Sequence, residues 1–116
     1  MLLTSKDPTP AKVIECHGGT GVLWCTEKLG DYAKPDGGFK FIHDNRLEPG
    51  ASIGEHRHEK DEELYVIVSG RGTMKIDGVE QAVGPGDMCL TRIGHSHDLV
   101  NRGDTPLHFL VVGVNP

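Results

Sequence analysis

At 116 residues the chain has room for one domain with one core, and at that size no disulfides are needed to hold it. Its 12 Lys+Arg against 17 Asp+Glu leave a formal charge of −5 with no basic cluster, which excludes the electrostatic footprint of a nucleic-acid or anionic-membrane binder. The longest apolar run, Leu64 to Val68, is far short of the ~20 residues that cross a bilayer, and MLLTSKDPTP lacks the charged start and apolar stretch of a secretion signal, so a cytoplasmic chain with a small-molecule partner is expected.

Sixteen glycines and seven prolines, with apolar residues in short Val/Ile/Leu/Phe clusters, point to sheet and many turns rather than helices. Residues 1–15, which include Pro8 and Pro10, read as an N-terminal arm, and 16–116 as a single domain. GGTG at Gly18 to Gly21 marks a turn before a short strand at Val22 to Trp24. A polar connection through Pro35 to Gly38 leads to a strand from Phe39, broken at Leu47 to Gly50. Ser52 to His58 and Glu63 to Ser69 read as two strands of a hairpin whose tip is Glu59 to Glu62, a solvated turn that also protects a sheet edge. Thr73 to Ile76 and Val79 to Val83 flank Asp77-Gly78, a dipeptide suited to the positive φ angles of a type I′ turn. Strands at Met88 to Thr91, near His97 to Val100 and at Leu107 to Val114 complete about eight to ten, the pattern of an antiparallel sandwich or barrel.

His56 and His58 stand two apart, so on a strand both imidazoles share one face. Antiparallel pairing of the next strand would bring Glu63 beside that face, and a closed barrel would deliver His97. Three neutral nitrogens with one carboxylate suit one divalent transition metal: Fe, Mn, Zn, Ni, Co or Cu. Period-two alternation does not separate Glu63 from its neighbour Glu62. The odd count of Cys16, Cys25 and Cys89, at unpatterned spacing, reads as reduced buried thiols rather than a disulfide framework.

The stretch Gly50 to Gly70, GASIGEHRHEKDEELYVIVSG, resembles the first cupin motif, G-x5-H-x-H-x4-E-x6-G, at every fixed position. Gly86 to Asn101, GDMCLTRIGHSHDLVN, resembles the second motif through Gly86, Gly94, His97 and Asn101, with Arg92 where that family usually has Pro. Together the motifs cover about a third of the chain. The resemblance implies an all-β jelly-roll barrel with little or no helix, a metal inside it on His56, His58, Glu63 and His97, and pairing into homodimers. The spacing to Gly70 favours Glu63 over Glu62, and the step to Asn101 favours His97 over His95. His17, His43 and His108 match no motif position and are expected in surface or structural roles, His43 being the one placed to reach the cavity. Tyr65 and Phe41 are expected in the core, and Arg46, Arg57, Arg71 and Arg92 at the surface.

Such a site would keep a net charge near +1 and an open coordination position, and so attract an anionic oxygen. The expected function is metal-centred chemistry of dioxygenase, isomerase or lyase type on a small carboxylate, enol or sugar derivative, with a non-catalytic sugar, acid or metal binder as the alternative. The barrel alone does not choose, because this family hosts enzymes, storage proteins and sensors.

Overall fold

Alternation at a period of two shapes this chain: in Leu107 to Val114 every second residue, Leu107, Phe109, Val111 and Gly113, is buried. The computed structural model describes residues 1–3 and 9–116; the part of the expected arm at 4–8 lies outside the described residues. The strands are β1 (Ala11–Ile14), β2 (Val22–Glu27), β3 (Phe39–Leu47), β4 (Ser52–Arg57), β5 (Glu62–Ser69), β6 (Gly72–Ile76), β7 (Val79–Val83), β8 (Met88–Thr91), β9 (Ser96–Asn101) and β10 (Leu107–Val114). Helix among the described residues is limited to two 3-10 turns, Cys16–Gly18 and Gly30–Tyr32. Asp77 and Gly78 both take positive φ, 49° and 82°, in the tight β6–β7 turn, as their residue types require.

Two antiparallel sheets result, one ordered β1-β2-β3-β10-β5-β8 and the other β4-β9-β6-β7. Between them lies a core that includes Leu47, Leu99, Leu107 and Phe109, all without measurable exposure, each contributing about 1.5–3 kcal/mol through burial. This is the expected all-β jelly roll. Within the stretch read as an arm, Ala11–Ile14 pairs with β2 as an edge strand and turns Val13 inward.

One expectation is overturned. β4 and β5 are not partners in a hairpin: β4 pairs with β9 in the small sheet, while β5 pairs with β10 and β8 in the large one. The segment between them crosses from one sheet to the other. Its start is held by backbone bonds from His58 N to His95 O (3.0 Å) and from Gly94 N to His58 O (2.7 Å). Locally, a charged connection within a hairpin and one between sheets look alike; the long-range partners β9 and β10 decide the difference.

Candidate functional site

The sheet crossing sets the site, because it makes its side chains converge from both walls of the barrel. On the small sheet, His56 and His97 are direct cross-strand partners, with a register shift between Ile53 and His56 that re-aims the end of β4. His58 follows β4 and brings its ring to centroid distances of 4.9 Å from His56 and 4.7 Å from His97. From the large sheet opposite, Glu63 points inward at the start of β5, where it is in register with Thr91 and Gly113. One donor atom from each of His56, His58, Glu63 and His97 lies within 4.8 Å of all the others.

The inner atoms are closer still. His97 Nε2 stands 2.9 Å from Nε2 of both His56 and His58, and Glu63 Oε1 stands 2.8 Å from His58 Nε2 and 3.2 Å from His97 Nε2. The outer nitrogens determine what these contacts are. His56 Nδ1 faces the Gly54 carbonyl at 2.8 Å, and His58 Nδ1 faces the Asp61 carboxylate at 2.8 Å; both partners only accept, so both Nδ1 atoms carry the proton. Burial also pushes His56 down to about 4, which keeps it neutral at neutral pH. With Nδ1 protonated, the neutral form of each ring turns its Nε2 lone pair inward, so His56 and His58 as neutral ligands aim with the Glu63 oxygen at one point. His97, whose Nδ1 is 2.8 Å from the Thr91 hydroxyl, could supply at most one proton among them. In agreement, Glu63 Oε1 is buried and has no hydrogen-bond partner despite the short separations.

A cation resolves this crowding. Two nitrogens each about 2.0–2.1 Å from one ion stand about 2.9–3.4 Å apart for bond angles between right and tetrahedral, which matches the 2.9 Å separations here. The donor set of three neutral imidazoles and a carboxylate thus fits a divalent metal. The outward bonds to Gly54, Asp61 and Thr91 orient each imidazole as supporting contacts around a metal do.

Glu62 points away from the cluster, with its side chain 38% exposed and 4.0 Å from Arg92. His95 is exposed and tied to Asp77, and His108 bonds Asp44 at 2.7 Å. Asn101 is structural: its amide donates to the Leu47 and Thr105 carbonyls and accepts from Gly103 N. His43 lines the cavity and is held by Glu27 at 3.1 Å.

Sequence reasoning passed over three contributors. Asp61, read as part of a solvated tip, is largely buried between His58 and Lys40. Burial raises its pKa, but the hydrogen bonds from Lys40 and His58 outweigh that and hold it below the usual value. Its position three residues after His58 was the available signal. Thr91, behind His97, offered none. His17 stacks on His56 with centroids 3.8 Å apart and an interplanar angle of 12°. It sits at φ 51°, in a hook clamped to β4 where glycines meet: a Cβ on Gly54 would lie 2.1 Å from His17 O and one on Gly19 2.2 Å from Ser52 O.

The cluster opens into a cavity of about 600 Å³, with Val13, Leu23, Phe41, Ile53 and Val111 as apolar wall and Arg57, Glu59 and Lys60 also on its lining. Tyr65 belongs to both core and lining, and burial, with Glu63 nearby, raises its phenol well above the usual range, so it stays protonated. Cys16 and Cys25 also line the cavity and all three cysteines are free. Burial, aided by Glu27, pushes the Cys25 thiol up to about 11, and burial raises Cys16 too, so both are poor nucleophiles.

A two-sheet jelly roll with three imidazoles and a carboxylate gathered inside defines a small barrel protein with a site for a divalent metal. The family model described as the cupin domain matches residues 45–113. A Thermotoga maritima protein named oxalate-binding protein is 34% identical over 112 residues, covering 97% of this chain and 92% of its own. A crystal structure from Thermotoga maritima, described as a predicted oxalate decarboxylase, superposes with a TM-score of 0.92 at 32% identity over all of both chains. A cupin 2 conserved barrel domain protein from Salinispora arenicola matches with a TM-score of 0.67 at 25% identity, over 78% of this chain and 74% of that one. The chain belongs to the cupin family. Among the described residues no helix is long and apolar enough to cross a membrane.

Proposed function

We propose that this cupin holds one divalent transition metal on His56, His58, Glu63 and His97 and uses it to bind a small carboxylate, with oxalate as the first member to test. The observation that carries the reading is the convergence of two imidazole lone pairs, fixed by Gly54 and Asp61, on the partnerless Glu63 oxygen. A divalent ion with a single carboxylate ligand keeps a net positive charge in a largely apolar cavity, where an anionic oxygen is its natural further ligand. The name of the Thermotoga relative, matched along nearly its whole length, supports oxalate as the probe.

The test begins with elemental analysis of protein purified without chelator, followed by calorimetric titration of oxalate into metal-loaded and chelated protein. About one equivalent of metal and oxalate binding only to the loaded form are expected. His56→Ala and His97→Ala should each lose stoichiometric metal yet keep a folded barrel; full occupancy in both variants would overturn the ligand assignment.

A second reading, in which the bound carboxylate is also cleaved, is supported by the description of the solved Thermotoga structure as a predicted oxalate decarboxylase. When bound, the metal would supply Lewis acidity to such a step. Carbon dioxide release from oxalate, measured under air and under nitrogen, decides between binding and turnover. The homodimer expected from the resemblance is also part of the proposal, supported by exposed Val68, Met88 and Leu90 on the outer side of β5 and β8.

A further inference from the structure

Tyr65 carries a hydroxyl for which the fold supplies no acceptor. Its side chain points inward from β5, two residues beyond Glu63 on the same buried face, a step of about 7 Å along the strand. The ring is held between Phe109, at a centroid distance of 5.2 Å, and the metal-site His97, at 5.0 Å. Among the described residues the hydroxyl makes no hydrogen bond, and the side-chain polar atoms that are both enclosed and unpartnered are Glu63 Oε1 and Asn45 Oδ1. The Tyr65 oxygen is therefore unpartnered without being enclosed. Because Tyr65 is only 4% exposed and lines the cavity, its small accessible surface includes this oxygen and faces the cavity.

A buried tyrosine hydroxyl ordinarily finds a partner inside the protein. Phenylalanine would fill the space between Phe109 and His97 without bringing a polar atom into the barrel, so packing accounts for the ring and not for the oxygen. The phenol is protonated at neutral pH, and burial with Glu63 nearby keeps it so. It is a fixed donor on the wall that also carries Glu63, beside a four-donor site that leaves room for a further ligand. Its register partner on β10, Val111, is apolar, and the lining pair Arg57 and Glu59 is largely exposed, so neither competes for this hydroxyl.

We infer that Tyr65 is a specificity-determining residue of the cavity: while one oxygen of the ligand coordinates the metal, the Tyr65 hydroxyl donates to another oxygen of the same ligand. It thereby selects carboxylates over ligands that offer the metal a single donor atom and nothing more. This inference rests on the proposal that the metal site binds carboxylates, and it names the group that recognises the second oxygen.

The experiment titrates oxalate and imidazole into metal-loaded wild type and Tyr65→Phe. Imidazole coordinates through one nitrogen and has no further acceptor to offer. Loss of a hydrogen bond to a charged ligand should weaken oxalate binding about 10- to 100-fold in Tyr65→Phe, while imidazole affinity and metal content stay at wild-type values. In chelator the variant should melt at or above the wild-type temperature, since no hydrogen bond within the protein is lost; a purely structural role for the hydroxyl predicts a lower melting temperature and unchanged oxalate affinity. A second measurement leaves Tyr65 in place. The chain has two tyrosines, and Tyr32 is 59% exposed, so Tyr32→Phe isolates Tyr65, whose Raman doublet should move toward the strong-donor pattern when oxalate is added. Equal oxalate affinity in wild type and Tyr65→Phe, or a doublet that oxalate leaves unmoved, overturns the inference and means that the hydroxyl is met only by water. Parallel loss of oxalate and imidazole affinity in Tyr65→Phe also overturns it, because the substitution would then act through the metal site itself. Metal-loaded wild type that binds no oxalate defeats the carboxylate reading as well.

Discussion

Replacing Glu63 by glutamine should stabilise the chelated protein and destabilise the metal-loaded one relative to wild type. Glu63 Oε1 lies 2.8 Å and 3.2 Å from His58 Nε2 and His97 Nε2 and is buried without a hydrogen-bond partner. Leaving a buried acceptor unpaired costs about 1–3 kcal/mol. Glutamine keeps the shape and offers two N–H donors toward those same nitrogens. Most of that cost should be recovered, raising the melting temperature in chelator by about 4–10 °C for a domain of this size. With metal the sign reverses. Wild type gains about 2.7 kcal/mol at a metal concentration 100-fold above its Kd, whereas a neutral amide is a poor metal ligand and the variant gains far less. Thermal melts of both proteins in chelator and in excess metal measure all four values. A variant that melts below wild type in chelator, or one that gains as much from metal as wild type does, would refute the reasoning that these four side chains are arranged for a cation.

Gly54→Ala places a Cβ 2.1 Å from His17 O and 2.8 Å from Gly19 N, so the hook must move; a loss of about 1–3 kcal/mol is expected by calorimetry, and an unchanged melting temperature would count against the clamp. Asp61→Ala removes the acceptor that orients His58 and should weaken metal affinity about 10- to 100-fold in competition with a chromophoric chelator; wild-type affinity would show that this contact does not matter to the site. The Cys25 thiol, raised from 9.0 to about 11, should be alkylated roughly 100-fold more slowly at pH 8 than an ordinary cysteine, a rate readable by mass spectrometry, and a normal rate would contradict its environment. Because the unfolded thiol ionises first, its contribution to stability is complete below pH 9 and declines as pH rises from 9 toward 11. Sedimentation at high micromolar concentration should show a dimer, and only monomer would remove the proposed pairing through β5 and β8.

Much of the site was legible because its logic is local. A period of two puts His56 and His58 on one side, and the motif spacings to Gly70 and Asn101 that the cupin resemblance supplies favour Glu63 over Glu62 and His97 over His95; Glu63 and His97 are the buried member of each pair. The Asp77-Gly78 turn was equally readable, since only residues tolerant of positive φ form it without strain. Asp61 was not readable, because a charged residue in a polar run carries no mark of whether it faces water or a histidine. Asn45 was hidden in another way: in FKFIHDNRL the inward positions of β3 hold His43 and Asn45 as well as Leu47, so apolar alternation fails where the strand borders the cavity.

What the sequence by itself determined is everything that depends on neighbours along the chain: an all-β chain of short strands, the placement of its turns, and four metal-type donors at strand spacing. Only the tertiary structure decided which sheet each strand joins, and with it that Glu63 meets the histidines from the opposite wall rather than from a hairpin partner. It also decided that His17 is folded back over His56 and that the Asn45 side-chain oxygen is buried without a hydrogen-bond partner. The physical reason is that strand pairing and burial are set by contacts between residues far apart in sequence, such as β3 with β10 and β4 with β9, and the same local pattern is compatible with several such pairings until all of them form one core.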